Sequence, residues 1–446
     1  MRDIAITIVI LVALAYTFKK PHFGVLLWSW LGYMNPHRLC YGFAYSMPFS
    51  QITAIVTILS FLFSSEKTRL PKEKFVYFIL LFILWMGITT AFAFEPEEAL
   101  NQYIKILKIQ LPIFLTLLIF NTKHRIDQLI WVIIVSLGYF GVKGGLFTLM
   151  TGGSFRVWGP PDSFVEENNS LAVATLMVMP LMVYMRSQLK HSWQKTAIMI
   201  CLVSMGFSVL GSQSRGAFVA LSIVGVYFWL HSNSKLVSGI LIGIFVVAMI
   251  PFLPESWYQR MDTIGSYEQD ASALGRINAW TLAFRVANHN LFGGGLNFWT
   301  VSSYSQYLEW FDPVSMGAYV AHSIYFSVLG EHGWIGLFLF LLILFITWSY
   351  CGQIVKQFKN NQELMWAAEL AKMIKISLMA YCSGGAFLSL TYFDLPWHLM
   401  SIVILLKHLV QTHVPQSENS HDTQKINEKS INAKSKLNID PQGYVR

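Results

Sequence analysis

Apolar runs of about 15–20 residues, roughly the length that spans a hydrocarbon core, recur along most of the chain and constrain its fold more than any other feature. Composition agrees: 54% of the 446 residues are hydrophobic and only 13% are charged, with 15 Trp and 33 Phe. The expected fold is an all-α polytopic membrane protein with about 12 transmembrane helices and one large extracytoplasmic loop containing short helices. Helices are predicted near 4–18, 22–33, 48–63, 75–93, 105–120, 129–150, 170–185, 196–210, 217–230, 236–252, 321–349, 374–391 and 396–410. The first run lacks a basic leader and a small-residue cleavage site, so it reads as a retained helix. The two short runs before Tyr33 fit two spans or a re-entrant hairpin, which leaves the side of the N-terminus open.

Lys and Arg in the short connections set the orientation. Lys67, Arg69, Lys72 and Lys74, then Lys123 and Arg125, then Arg186, Lys190 and Lys195, then Lys235, then Lys356, Lys359 and Lys372 fall on one side if the spans alternate. That side is expected to be cytoplasmic. The acidic Phe94–Glu98, the Gly/Pro-rich Thr151–Asn169, the tight Gly211–Gly216 and the insertion Leu253–Val320 then face outward. The net charge of +8 is mostly a topology signal, and nucleic acid is a poor partner for it. The polar tail Gln411–Arg446 has too little apolar surface to fold and reads as a disordered cytoplasmic appendage. The chain thus divides into 1–168, an N-terminal transmembrane region; 169–410, a second transmembrane region with its outer loop at about 253–320; and the tail, 411–446. Cys40, Cys201, Cys351 and Cys382 are scattered, which supports neither a disulfide framework nor a zinc site.

Basic residues in the outward loops are the informative ones. Arg215, beside Ser212, Gln213 and Ser214, stands just ahead of the helix at 217–230. Its guanidinium and the helix N-terminal amides suit one phosphate group; the alternative is an arginine that pairs with lipid headgroups or caps carbonyls. Arg276 begins an amphipathic helix with Ile277, Trp280 and Phe284 on apolar spacing, whereas Arg260 and Arg285 read as surface charges. The three glycines within Asn288–Trp299 fit a tight turn better than a phosphate cradle. His322 lies where a helix enters the membrane, so its imidazole can be neutral near pH 7 and still meet solvent, as a base acting on an alcohol requires. Glu331 and His332 read as a satisfied polar pair. Lys105 and Lys108 either reach a phosphate or snorkel to the interface.

From Ala321 the chain reads A-H-S-I-Y-F-S-V-L-G-E-H-G-W-I-G-L, and its His-Ser-x9-Gly-x-x-Gly spacing resembles that of bacterial O-antigen ligases, which share a membrane glycosyltransferase superfamily with O-antigen polymerases and protein O-oligosaccharyltransferases. S-R-G-A at Ser214–Ala217, L-G-R-I-N-A-W at Leu274–Trp280 and N-L-F-G-G-G-L-N-F at Asn290–Phe298 are similar to further elements of those enzymes, in the same order. Asn35–Ser50 looks more specifically like the O-glycosylation ligases associated with exosortase A systems.

The resemblance implies a bacterial inner-membrane glycosyltransferase with its active site at the periplasmic face. Its donor would be a glycan on a polyprenyl pyrophosphate, and its acceptor a hydroxyl of a protein, lipid or polysaccharide. Arg215 and Arg276 would neutralise the pyrophosphate leaving group, helped by Lys105 and Lys108, with no cofactor or metal. His322 would take the acceptor's proton in one inverting displacement, so a pair of glycosidase carboxylates is not required. A polymerase of the same superfamily is the alternative. A transporter of lipid-linked glycan is less favoured, because internal repeats are missing from the sequence and so, apart from Lys143 near a helix end, are mid-membrane charges.

Overall fold

The apolar runs resolve into helices throughout, in a computed structural model that describes residues 1–66, 70–232, 234–249 and 271–411. In chain order they are α1 (Arg2–Lys19), α2 (His22–Met34), α3 (Phe49–Leu62), α4 (Lys74–Ala91) and α5 (Pro96–Ile119). Then come α6 (Lys123–Met150), α7 (Asn168–Gln188), α8 (Ser192–Gly211), α9 (Arg215–Leu230) and α10 (Lys235–Met249). The last are α11 (Ala271–His289), α12 (Val301–Tyr307), α13 (Ile324–Phe358), α14 (Met365–Gly384) and α15 (394–411). The described residues contain no strand. Lys67, Arg69, Arg260, the part of the long loop before 271 and the tail after Gln411 lie outside the described residues.

Six helices among the described residues are long and apolar enough to cross a membrane, namely α4 to α8 and α13, against the expected count of about twelve. The difference has a physical basis. α1 carries Arg2, Asp3 and Lys19, α14 carries Glu369, Lys372 and Lys375, and α3 and α9 are shorter apolar helices. α14 is packed into the bundle along most of its length, whereas α1, α3 and α9 turn much of their apolar surface outward. The multi-pass, all-helical membrane architecture stands.

Helix ends sort into two groups. At one end Asp3 accepts backbone N–H bonds from Gly42 and Ala44 (3.0 Å each), Tyr45 reaches Asp162 (3.2 Å) and Val157 N–H donates to the Gly211 carbonyl (3.2 Å). At the other end Arg125 pairs with Glu66 (2.8 Å), Lys407 with Glu73 (2.9 Å), and Tyr184 donates to Asp127 (2.7 Å). The connections read as outward thus gather opposite the Lys-rich ones, and α1 starts at the same end as the 151–167 segment.

The centre of the bundle is α7 against α14. Val173 and Met177 are fully buried, Ser377 Oγ donates to the Met177 carbonyl (2.6 Å), and Gly384 leaves room for Val173. α6 meets α8 through Gly141, Gly144 and Gly145, whose missing side chains admit Met205, Ser208 and the Ser204 backbone. Small residues take this role in membrane bundles because close backbone approach maximises dispersion contact where no hydrophobic effect separates helix from lipid. The segment from α11 to Phe311 has its own small core of Ala279, Leu282, Val286, Phe298, Tyr304 and Leu308.

Candidate active site

The polar turn between α8 and α9 is built from side-chain caps. Ser212 Oγ donates to the Val209 carbonyl (2.5 Å) and accepts from Ser214 N–H (3.3 Å), while Ser214 Oγ accepts from Ala217 N–H (3.1 Å) and so caps α9. Gln213 sits in the left-handed region at φ 56°. This fixes Arg215 as the first residue of α9, half-buried. Gln213 Nε2 donates to the Gly153 carbonyl (3.0 Å) and Asn168 Nδ2 to the Ser212 carbonyl (2.6 Å), which ties the turn to the 151–167 segment and to the start of α7.

Arg276 lies on α11, one turn before Trp280. The Trp280 indole donates to the Ala321 carbonyl (2.7 Å) and stacks on Phe326, with ring centroids 4.9 Å apart. On its other side it approaches Phe387 (6.5 Å). A Cβ added to Gly216, the neighbour of Arg215, would stand 3.3 Å from Phe387 Cβ. A continuous set of contacts therefore runs from the start of α9 through Phe387 and Trp280 to the residue preceding His322.

His322 has φ 42°, a left-handed conformation that costs a non-glycine residue about 1–2 kcal/mol. Such strain is found where surrounding structure holds a functional group in place. Ser323, next in the chain, caps α13 by accepting from Phe326 N–H (3.5 Å). Burial holds the imidazole below its ordinary pKa; Glu167 works against this by favouring the cation, and Arg276 adds to the lowering. The neutral form therefore predominates at pH 7. Glu167, exposed immediately before α7, was not legible as a site residue, because only the fold carries it to His322 from a distant segment.

Glu331 and His332 are both buried and bonded. Glu331 accepts from the Trp299 indole (3.1 Å) and the Tyr392 hydroxyl (2.5 Å), and His332 bridges Thr89 Oγ1 (2.7 Å) and Tyr392 (2.8 Å). The expected satisfied pair is what the structure contains, with Tyr392 as a partner no local pattern could name. The glycine triplet serves close backbone approach: Gly294 N–H donates to the Gly330 carbonyl (2.8 Å) and Gly295 N–H to that of Glu331 (3.0 Å). Gly333, at φ 65° and ψ −170°, kinks α13 beside this contact. Tyr392→Phe is expected to lower stability by about 1–2 kcal/mol, since it strips a partner from two buried polar groups. Thermal unfolding in detergent measures this; an unchanged midpoint would mean the pair relaxes onto water.

Lys105 and Lys108 stand apart from the His322 cluster. They line a cavity of about 540 Å³ whose walls include neither His322 nor the two arginines, and Lys105 Nζ lies 5.4 Å from the Phe164 ring centroid. Arg285 is more than a surface charge: it donates to the Tyr307 carbonyl (2.8 Å) and lies over the Trp310 ring (4.8 Å), joining α11 to the segment after α12. Among the described residues, no three His, Cys, Asp or Glu side chains are grouped to hold a metal ion. The geometry thus places Arg276 and Glu167 near His322, joins the start of α9 to them through Phe387 and Trp280, and leaves the two lysines lining a separate cavity.

Comparison with known proteins separates the chain into two stretches. Residues 1–190 match a family of unknown function (DUF5935), and residues 200–341 match the family described as O-antigen ligase. No curated protein matches the chain. The second stretch contains Arg215, Arg276 and His322, so all three lie in the part of this multi-pass membrane protein that is similar to O-antigen ligases.

Proposed function

We propose that the protein is an inner-membrane ligase that transfers a glycan from a polyprenyl pyrophosphate to an acceptor hydroxyl at the periplasmic face. The observation that carries the reading is the grouping of a neutral, conformationally strained His322 with Arg276 and the start of α9, inside the stretch similar to O-antigen ligases. The acceptor oxygen attacks the anomeric carbon as its proton passes to His322, and the bond from that carbon to the pyrophosphate oxygen breaks with inversion. Arg215 and Arg276 neutralise the charge that gathers on the leaving group, a role their planar, bidentate donors fill without a metal. Glu167 raises the basicity of His322 and favours the imidazolium formed during attack.

The fate of the glycan in a deletion strain tests the reading. Loss of attachment with chain length intact is the ligase outcome. Loss of long chains would assign the same site to a polymerase, and unchanged glycans on both counts would reject a transferase.

The orientation follows from the gathering of Lys-rich connections at the end opposite the site. Three helices, α13 to α15, lie between the 253–320 loop and the tail, so an extracytoplasmic loop puts the tail in the cytoplasm. Ser303 is buried and Ser302 exposed, so the informative probe is Ser302→Cys in a background without the native cysteines. An impermeant maleimide is expected to label it in cells whose inner membrane is intact. Labelling only after that membrane is opened would invert the orientation.

A further inference from the structure

The chamber lined by Lys105 and Lys108 has features that snorkelling does not explain. α5 is long and apolar enough to cross a membrane, and Lys105 stands nine residues into it, about 14 Å along the axis. Lys108 follows one turn later on the same face. Both lysines keep solvent exposure yet line a cavity from a helix of spanning length, and charge at such a place marks a ligand path.

The rest of the lining is amphiphilic. Trp28, Ile55, Ile58, Ile109 and Leu111 form an apolar wall, and Ile55 and Leu111 are also exposed on the outer surface of the bundle, so the wall is continuous with the surface a bilayer would cover. Two buried polar atoms among the lining residues, Ser29 Oγ and His398 Nε2, have no hydrogen-bond partner. His398 is held through its other ring nitrogen by the Tyr33 hydroxyl (2.6 Å). The acidic lining groups are already engaged: Asp162 pairs with Arg38 (3.5 Å) and accepts from Tyr45 (3.2 Å), and Asp394 accepts backbone N–H bonds at the start of α15. The lysines have no acidic partner among the described residues, so two positive charges face an apolar slot.

We propose that this chamber binds a phosphate-bearing lipid, with the phosphate between Lys105 and Lys108 and the chain along the Ile55–Ile58 wall. The proposal gives the 1–190 stretch a role, because that stretch supplies most of the lining. It stands on the cavity and does not require the transferase reading. Under that reading, a polyprenyl lipid in the chamber is the donor or the released carrier, lying beside the loop that leads from Phe164 to Glu167.

The test uses the full chain in phosphatidylcholine nanodiscs with a photoreactive polyprenyl phosphate and, separately, a photoreactive phosphatidylglycerol. Adducts are mapped by mass spectrometry to peptides covering 28–33, 50–58 and 105–112. Labelling there is expected to fall about tenfold or more in Lys105→Gln/Lys108→Gln, as two charge-assisted contacts are lost, and to persist in Lys105→Arg/Lys108→Arg. Labelling by the polyprenyl probe alone identifies the carrier as the ligand, and equal labelling by both identifies a bilayer phospholipid; either supports a phosphate-lipid chamber. Absence of adducts with both probes, or labelling indifferent to the Gln pair in a protein of unchanged melting temperature, would overturn the proposal. Glycan transfer assayed in parallel separates the two ideas, since lysine-dependent labelling in a protein without transferase activity would reject only the enzyme.

Discussion

His322→Ala is expected to lower glycan transfer by about 100-fold or more, the usual contribution of a positioned acid or base, while donor binding stays nearly intact. The wild-type pH profile should carry the same residue's mark. A base works only when neutral, so transfer falls as the pH drops through the pKa of His322, which burial holds below the ordinary histidine value. Glu167 favours the imidazolium, so Glu167→Gln lowers that pKa further and moves the acid limb to lower pH. Initial rates in proteoliposomes across the pH range, normalised to folded protein, read both effects. Full turnover in folded His322→Ala would remove the catalytic assignment. An acid limb unmoved by Glu167→Gln would detach that carboxylate from the site.

Arg215→Ala and Arg276→Ala are each expected to reduce transfer by about 100-fold, the scale seen when one preorganised donor to a developing negative charge is deleted. Lysine at either position should rescue only in part, because a point charge cannot reproduce a planar fork. The two arginines also differ in a way that abundance changes cannot mimic. Arg276 lowers the pKa of His322, so its removal shifts the acid limb upward. Arg215 reaches His322 only through the Gly216–Phe387–Trp280 contacts, so its variant is expected mainly to lower the rate. Two folded variants with undiminished turnover would return both residues to headgroup contact or capping.

The helices were legible because hydrocarbon leaves the backbone little choice, and most marked runs became helices shifted by a few residues or extended at a polar end. The run expected at 374–391 lies earlier, at 365–384, and the last residues of the one expected at 236–252 lie outside the described residues. The helices' apolar length told less, since α1 carries charges at both ends and α14 keeps half-buried Glu369, Lys372 and Lys375 within its length. His322 and the arginines were readable from short motifs in order. Glu167 and Tyr392 were not, because each acts on a residue far away in sequence and nothing local distinguishes it. The left-handed backbone at His322 was equally hidden, since glycine or asparagine would have advertised it and histidine does not. Lys105 and Lys108 were visible as charges in an oily helix, but whether they faced a cavity or the interface depended on α2, α3 and the 162–165 loop.

The kink at Gly333 and the glycine triplet pressed against it bear on how such membrane proteins can be recombined. Gly294 and Gly295 bond to the carbonyls of Gly330 and Glu331, Trp334 donates to Asn288 (2.9 Å), and Trp280 holds the Ala321 carbonyl. The first turns of α13 are thus fastened to α11 and to the triplet as firmly as to the helix below the kink. A chimera that exchanges the outer loop alone would cut through these bonds and leave His322 on a mismatched support. The cassette for exchanging this region between homologues runs from the start of α11 through Trp334, with its lower seam just past the kink.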